Sequence, residues 1–267
     1  MPRFVEPDSQ GGECLALYGP SGDGKTRLAC AAMRAVPSRW GKRAGYIAVD
    51  PGSFKLKSVL AEDLPYIGKP ILLGEEGKPY DPYDEVMQIA TMSAYADVDT
   101  FILDTGTVLS REILQAIANS GSFSDRHVEI KGSSKKFKVA MSMPGDYGAA
   151  QNCMFDIFRA FKQSGKNFIC IFHDGLIEPE ASSNAPVIGG PITAGKGSIM
   201  GVAAWFDNLV RVESKNKEGK RIYRAFTEKN GVYLAKLRMR AKTNPIPVVD
   251  LDPDPINFWL KLEEVLK

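Results

Sequence analysis

The sequence predicts an α/β protein with a mostly parallel central sheet, flanking helices, and antiparallel strands added at the C-terminal end. Three observations predict it. Short apolar runs alternate with segments of helical periodicity over the first two thirds of the chain. The octet Gly19-Pro20-Ser21-Gly22-Asp23-Gly24-Lys25-Thr26 sits where the first apolar run meets the first helical segment. The last third turns to successive strand-like runs parted by turn residues, the pattern of hairpins.

Cys14 to Tyr18 reads as a buried strand, and Lys25 to about Ala35 as an Ala-rich helix closed by Pro37. Gly45 to Val49 is a second strand, ending in Asp50-Pro51-Gly52, and Ile71 to Leu73 a short third. A helix is expected from Tyr83 to about Ala96, a strand over Thr100 to Leu103, and a helix over Val108 to Ile117. Residues 119–145 break this rhythm with Ser, Gly and five basic residues against two acids. They form either an excursion or a β-ribbon such as Lys136 to Met143. An amphipathic helix follows from about Tyr147 to Gln163, then the strand Phe168 to Phe172. The Gly-, Pro- and Ser-rich stretch 174–197 predicts a long mobile loop. Asn208 to Glu213, Arg221 to Phe226 and Val232 to Leu237 are expected strands, parted by Asn216-Lys217-Glu218-Gly219 and Asn230-Gly231. The organisation expected is one domain over 1–244, then a Pro-rich link and a helix, about Ile256 to Leu266, within 245–267.

Composition narrows the class. The chain has 267 residues, 44% apolar and 25% charged, enough for a full core and inconsistent with wholesale disorder. Lys and Arg total 34 against 32 acids, so nucleic-acid binding would have to come from local basic patches. No apolar run approaches the roughly 18–20 residues of a membrane span, and Met1 to Pro7 lacks the apolar core of a signal peptide. Cys14, Cys30, Cys153 and Cys170 lie in apolar stretches without zinc-ribbon spacing, as buried reduced thiols do. With only His127 and His173, a histidine-rich metal site is excluded. The expected setting is the cytoplasm, a host's if the chain is phage-encoded, with no membrane partner.

Gly19–Thr26 matches G-x-x-x-x-G-K-[ST] in full. Glycines let consecutive backbone N–H groups curl around a β-phosphate at the start of a helix. Lys25 reaches the β- and γ-phosphates, and the Thr26 hydroxyl takes a place on Mg²⁺. The expected cofactors are therefore ATP and Mg²⁺, with nucleotide contacts from Gly19, Pro20, Ser21, Gly22, Asp23, Gly24, Lys25, Thr26 and Arg27. The second metal residue should be an acid ending a neighbouring strand, and Phe101-Ile102-Leu103-Asp104 supplies Asp104. The competing role for Asp104 is to cap the helix that begins near Val108.

In this order the motifs resemble the RecA-like ATPase core, and within it the small phage-type ATPases that accompany single-strand annealing. The resemblance rests on the octet, Val49-Asp50-Pro51-Gly52, Leu103-Asp104-Thr105, Asp146-Tyr147-Gly148, Phe172-His173-Asp174 and Ala235-Lys236-Leu237-Arg238. It spans about residues 13–240. It implies Asp50 as the base for the attacking water, with Glu75 and Glu76 in reserve, although Asp-Pro-Gly departs from the usual acidic pattern. It implies His173 as the γ-phosphate sensor and 174–196 as the counterpart of a DNA-binding loop. It also implies that Lys236 and Arg238, on one face of a late strand, reach a neighbouring subunit's γ-phosphate. The alternative for that pair is a solvated edge strand.

The function so implied is a recombination ATPase acting on single-stranded DNA as a ring or filament, with its ATP site at the subunit interface. An annealing or single-strand-binding protein would be a further partner. Arg126, Lys131, Lys135, Lys136, Lys138 and Lys196 are the candidate DNA contacts. Two other readings stand beside it: a nucleotide-gated, non-catalytic helicase loader or recombination mediator, and a P-loop kinase for a small molecule.

Overall fold

The computed structural model describes residues 12–35, 39–49, 56, 59–74, 80–120, 127–130, 137–140, 142–179, 185–195, 198–238 and 247–266. Strand β1 (Cys14–Gly19) leads into helix α1 (Lys25–Cys30), which tightens into a 3₁₀ turn over Ala31–Arg34. Then come β2 (Ala44–Ala48), β3 (Ile71–Leu72), α2 (Pro82–Thr91), β4 (Thr100–Asp104) and α3 (Gly106–Asn119). The basic segment contains a ribbon, β5 (His127–Ile130) and β6 (Phe137–Ala140), as a two-stranded sheet of its own. Helix α4 (Pro144–Gln163) and β7 (Asn167–Ile177) follow, then β8 (Ile188–Ile192), α5 (Ser198–Trp205), β9 (Asn208–Lys217), β10 (Lys220–Phe226), β11 (Val248–Asp250) and α6 (Ile256–Leu266).

Among the described residues one nine-stranded sheet runs in the order β11-β10-β9-β1-β7-β4-β2-β3, with β8 added to β7. The six strands from β9 to β3 pair in parallel, while β8, β10 and β11 are antiparallel. In this sheet β7 is inserted between β1, which leads into the phosphate loop, and β4, which ends in Asp104. At its carboxyl edge Gly19 pairs with His173, and Asp104 ends β4 beside Ile171, two residues earlier on β7.

Each face of the sheet carries its own core. Ala16, Tyr18, Leu103 and Phe172 share one buried cluster with Ile113, Phe158 and Phe206. Leu15, Leu17, Ile102 and Ile171 share the other with Leu28, Phe258 and Trp259. The alternation along β1 follows from the two-residue period of a strand buried on both sides. Aromatic packing dominates the first face, where Phe161 stacks on Phe168 at 4.3 Å. On the second, the Trp259 indole N–H donates to the Leu28 carbonyl (2.8 Å), which docks α6 against α1.

Two expectations need correction. The stretch 174–197 is not one long loop: β7 continues through Asp174 to Ile177 and β8 returns beside it, pairing Asp174 with Pro191. Nor is Val232–Leu237 a strand. Tyr233 and Lys236 make isolated bridges only, Lys236 pairing with Leu209. The reason lies in β9, whose outer edge is already occupied by β10 from Arg211 onward. Three features lay outside the expected set: β8, α5 and β11. The four cysteines are free thiols, and burial pushes the Cys14 thiol up to about 11.

Candidate nucleotide site

The phosphate loop joins two fixed elements, the innermost run of the sheet and a buried helix. Gly24 adopts a left-handed φ of 84°, and a Cβ there would press on the Tyr223 ring at 3.3 Å, so only glycine fits without strain. Lys25 is buried, and its ammonium donates to the carbonyls of Gly19 (2.8 Å) and Pro20 (2.6 Å), which carries the charge across the loop. The Asp23 carboxylate accepts from the Ser214 N–H (2.9 Å), the Ser214 hydroxyl (2.9 Å) and Arg221 (2.7 Å). Its side chain thus anchors the loop to the β9–β10 hairpin.

Asp104 is 3% exposed at the end of β4. Its Oδ2 accepts from the Thr26 hydroxyl (2.7 Å) and from the Tyr46 hydroxyl (2.6 Å). The helix-cap role falls instead to Thr105, whose Oγ1 accepts from the Val108 N–H at 3.1 Å. A hydroxyl and a carboxylate within hydrogen-bond distance form the hard-oxygen set that suits Mg²⁺. Among the described residues no group of three or more His, Cys, Asp or Glu side chains converges as a metal site. A cation held by Thr26 and Asp104 would therefore complete its shell with phosphate oxygens and water.

His173 enters the same cavity from β7. Its backbone N–H donates to the Thr107 hydroxyl (2.9 Å), which in turn donates to the Ile192 carbonyl (2.6 Å). One buried hydroxyl on α3 thereby bridges both strands of the β7–β8 hairpin. The cavity measures about 460 Å³ and gathers Ser21 to Arg27, Asp104, Thr105 and His173. Tyr223, Leu251, Asp252 and Pro255 complete its lining.

The remaining expected residues fall elsewhere. Lys236 and Arg238 sit at the opposite, amino edge of the sheet. Lys236 bridges Leu209, which pairs with Ala16, three residues or roughly 10 Å of strand before Gly19. The Arg238 guanidinium is exposed and lies 3.9 Å from Asp207. Burial, and then the Arg238 charge, lower the Lys236 pKa from its ordinary value. With no regular strand there, the shared-face argument for the pair does not apply. Asp50, Glu75, Glu76, Arg126, Lys131, Lys135, Lys136 and Lys196 lie outside the described residues, and Lys138 is placed by its backbone on β6. Asp146, expected to open a helix, accepts from the Met143 N–H (2.7 Å) in the first turn of α4.

Sequence reasoning passed over Tyr46 and Tyr223. A tyrosine in the middle of a buried strand carries a hydroxyl that must find a partner, and that was the available signal for Tyr46. Tyr223 had none, because its neighbours come from the C-terminal segment.

A family model for the AAA domain matches residues 12–239. The chain belongs to the AAA domain family. That match covers the phosphate loop, Asp104 and His173, and ends before β11 and α6. No curated protein matches the sequence. Among solved structures, a KaiC-like protein from Pyrococcus horikoshii OT3 is similar at 11% identity and a TM-score of 0.49, over 92% of this chain and 88% of that one. The flagellar accessory protein FlaH from Methanocaldococcus jannaschii is similar at 15% and 0.47, over 93% and 88%. The RadB recombinase is similar at 13% and 0.48, over 93% and 90%. No helix among the described residues is long and apolar enough to cross a membrane.

Proposed function

We propose that this AAA domain binds ATP with Mg²⁺ and hydrolyses it, acting as a RecA-like recombination ATPase on single-stranded DNA in a ring or filament. The observation that carries the nucleotide part is the Thr26–Asp104 contact of 2.7 Å beside the Lys25 ammonium. Lys25 and Thr26 open α1 and Asp104 ends β4, yet all three line one cavity, which supports reading them as a single nucleotide site. Lys25 would hold the β- and γ-phosphates, and Thr26 and Asp104 would hold the cation. Bound Mg²⁺ would neutralise charge on those phosphate oxygens. Asp50 remains the proposed base: β2 pairs Ala48 with Asp104, and the Val49 N–H donates to the Asp104 carbonyl at 2.8 Å, so the chain leaves β2 at the metal residue. His173 is the proposed sensor, because Thr107 couples its backbone to the β7–β8 hairpin.

Assembly and DNA are the further parts of the proposal. Lys236 and Arg238 lie at the edge of the sheet away from their own phosphate loop, so a role on the γ-phosphate requires a neighbouring chain. The DNA reading, with its annealing-type subclass, rests on the basic residues in and around the β5–β6 ribbon and on Lys196.

The test is ATP turnover by the purified chain, with and without single-stranded DNA, alongside Lys25→Ala. DNA-stimulated phosphate release that disappears in the variant is expected. Consumption of ATP only with a small-molecule acceptor would instead assign a kinase. Binding without turnover would assign a nucleotide-gated partner protein.

A further inference from the structure

The phosphate loop, Asp104 and His173 account for one part of the cavity lining and leave another unexplained. Tyr223 comes from β10, whereas Leu251, Asp252 and Pro255 come from the segment joining β11 to α6, beyond the stretch matched by the family model. This segment is firmly held. The Leu251 N–H donates to the Tyr223 carbonyl (2.9 Å), and the Tyr223 N–H donates to Asp252 Oδ2 (2.8 Å). Arg27, in the first turn of α1, donates to the Pro253 carbonyl (2.7 Å). Arg34 grips Asp254 with two hydrogen bonds of 2.7 and 2.8 Å. Leu251 and Pro255 are buried and Tyr223 is half-buried, so the wall combines an aromatic ring with two apolar groups.

Two polar groups stand in that wall with capacity to spare. Asp252 engages one carboxylate oxygen with Tyr223, while Oδ1 has no hydrogen bond among the described residues. The Arg27 Nε–H is buried and has no partner among the described residues either. A buried donor without an acceptor is costly, so a ligand that supplies one gains affinity. The site thus offers an aromatic ring and two apolar side chains, one free acceptor and one free donor.

We propose that this C-terminal wall is the base site of the nucleotide, and that Asp252 Oδ1 selects adenine by accepting a hydrogen bond from its exocyclic amine. The proposal rests on the nucleotide reading above and adds the base and the residue that reads it. With the phosphates held at Gly19–Thr26, the purine lies between the Tyr223 side and Leu251–Pro255. The Arg27 Nε–H donates to a ring nitrogen or a sugar oxygen. Guanine fits less well. In the same pose it would turn its O6 acceptor, rather than an amine donor, towards the carboxylate. Asp252 is a specificity residue and takes no part in phosphate chemistry.

The experiment is equilibrium binding of four Mg²⁺-triphosphates to the whole chain by displacement of a ribose-labelled fluorescent ADP. They are ATP, purine riboside triphosphate (no 6-substituent), ITP (6-keto) and GTP. ATP should bind about 10-fold or more tightly than purine riboside triphosphate, the worth of one charge-assisted hydrogen bond. Asp252→Ala should bring that ratio close to one. Asp252→Asn keeps an oxygen for the Tyr223 N–H and turns an amine towards the base, so its preference should move from ATP towards ITP. Lys25→Ala should weaken all four alike. A merely structural Asp252 would weaken every nucleotide equally and leave the ratios unchanged, which overturns the proposal. So would a wild-type chain that binds ATP and purine riboside triphosphate equally, or one that prefers GTP; neither comparison depends on a variant folding. If none of the four binds, the nucleotide reading fails as well, and that outcome is distinct from binding without base preference.

Discussion

The two edges of the central sheet treat charge in opposite ways. At the carboxyl edge, Asp23, Lys25 and Asp104 are each no more than 6% exposed, and each is held by named partners a few tenths of an ångström from ideal distance. At the amino edge, Arg238 has a 65% exposed side chain and only a 3.9 Å approach to Asp207. Buried charges of the first kind keep their place because losing a partner costs several kcal/mol. An exposed pair of the second kind contributes little and leaves the side chain free to seek another partner. One edge holds its charges fixed around the phosphate loop, and the other leaves its charge at the surface.

The first way to break this comparison is Lys25→Ala. Turnover should fall to background because binding is lost, an effect exceeding the roughly 10³-fold of a single transition-state contact. The fold should survive, as circular dichroism would report. Next comes Arg238→Ala, where nucleotide binding should persist while hydrolysis drops by about 10³-fold. Mixing it with Lys25→Ala should restore activity, since each chain supplies what the other lacks. No recovery at any ratio would return Arg238 to the solvated-edge role. Asp104→Asn should lower kcat by roughly 10²-fold with a much smaller change in affinity, measured by steady-state kinetics and titration. Tyr46→Phe removes one of the two donors to Asp104 Oδ2 and keeps the ring, so turnover should fall by about 10-fold. The smallest effect belongs to Arg221→Ala. Arg221 is 49% exposed, so losing its bridge to Asp23 should weaken nucleotide binding only a few-fold, by less than about 1 kcal/mol.

How legible these features were depended on the span of chain that encodes them. The phosphate loop is eight consecutive residues between a strand and a helix, so local geometry sufficed. Asp104 was legible because an acid ending an apolar strand has few roles, and the cap that competed for it proved to be Thr105. The β8 strand was hidden because Gly189, Gly190 and Pro191 are poor strand formers, and its ladder exists only because β7 runs past its parallel neighbours. In α5 the apolar residues show no helical stripe. Pro245, Pro247, Pro253 and Pro255 disguised a segment that contributes both a strand, β11, and a wall of the nucleotide cavity. The strand expected over Val232–Leu237 had the right composition but found most of the β9 edge already taken.

By itself, then, the sequence determined the layered α/β class, the phosphate-loop motif and the acid that ends β4, because each follows from local periodicity or from contiguous residues with one chemical use. Tertiary structure alone decided which hydroxyls meet Asp104, how far Lys236 and Arg238 stand from the phosphate loop, and which C-terminal residues line the cavity. Those rest on contacts between residues from 27 to more than 200 positions apart. They form only when a parallel sheet sets β7 between β1 and β4 and folds the C-terminal helix back onto α1.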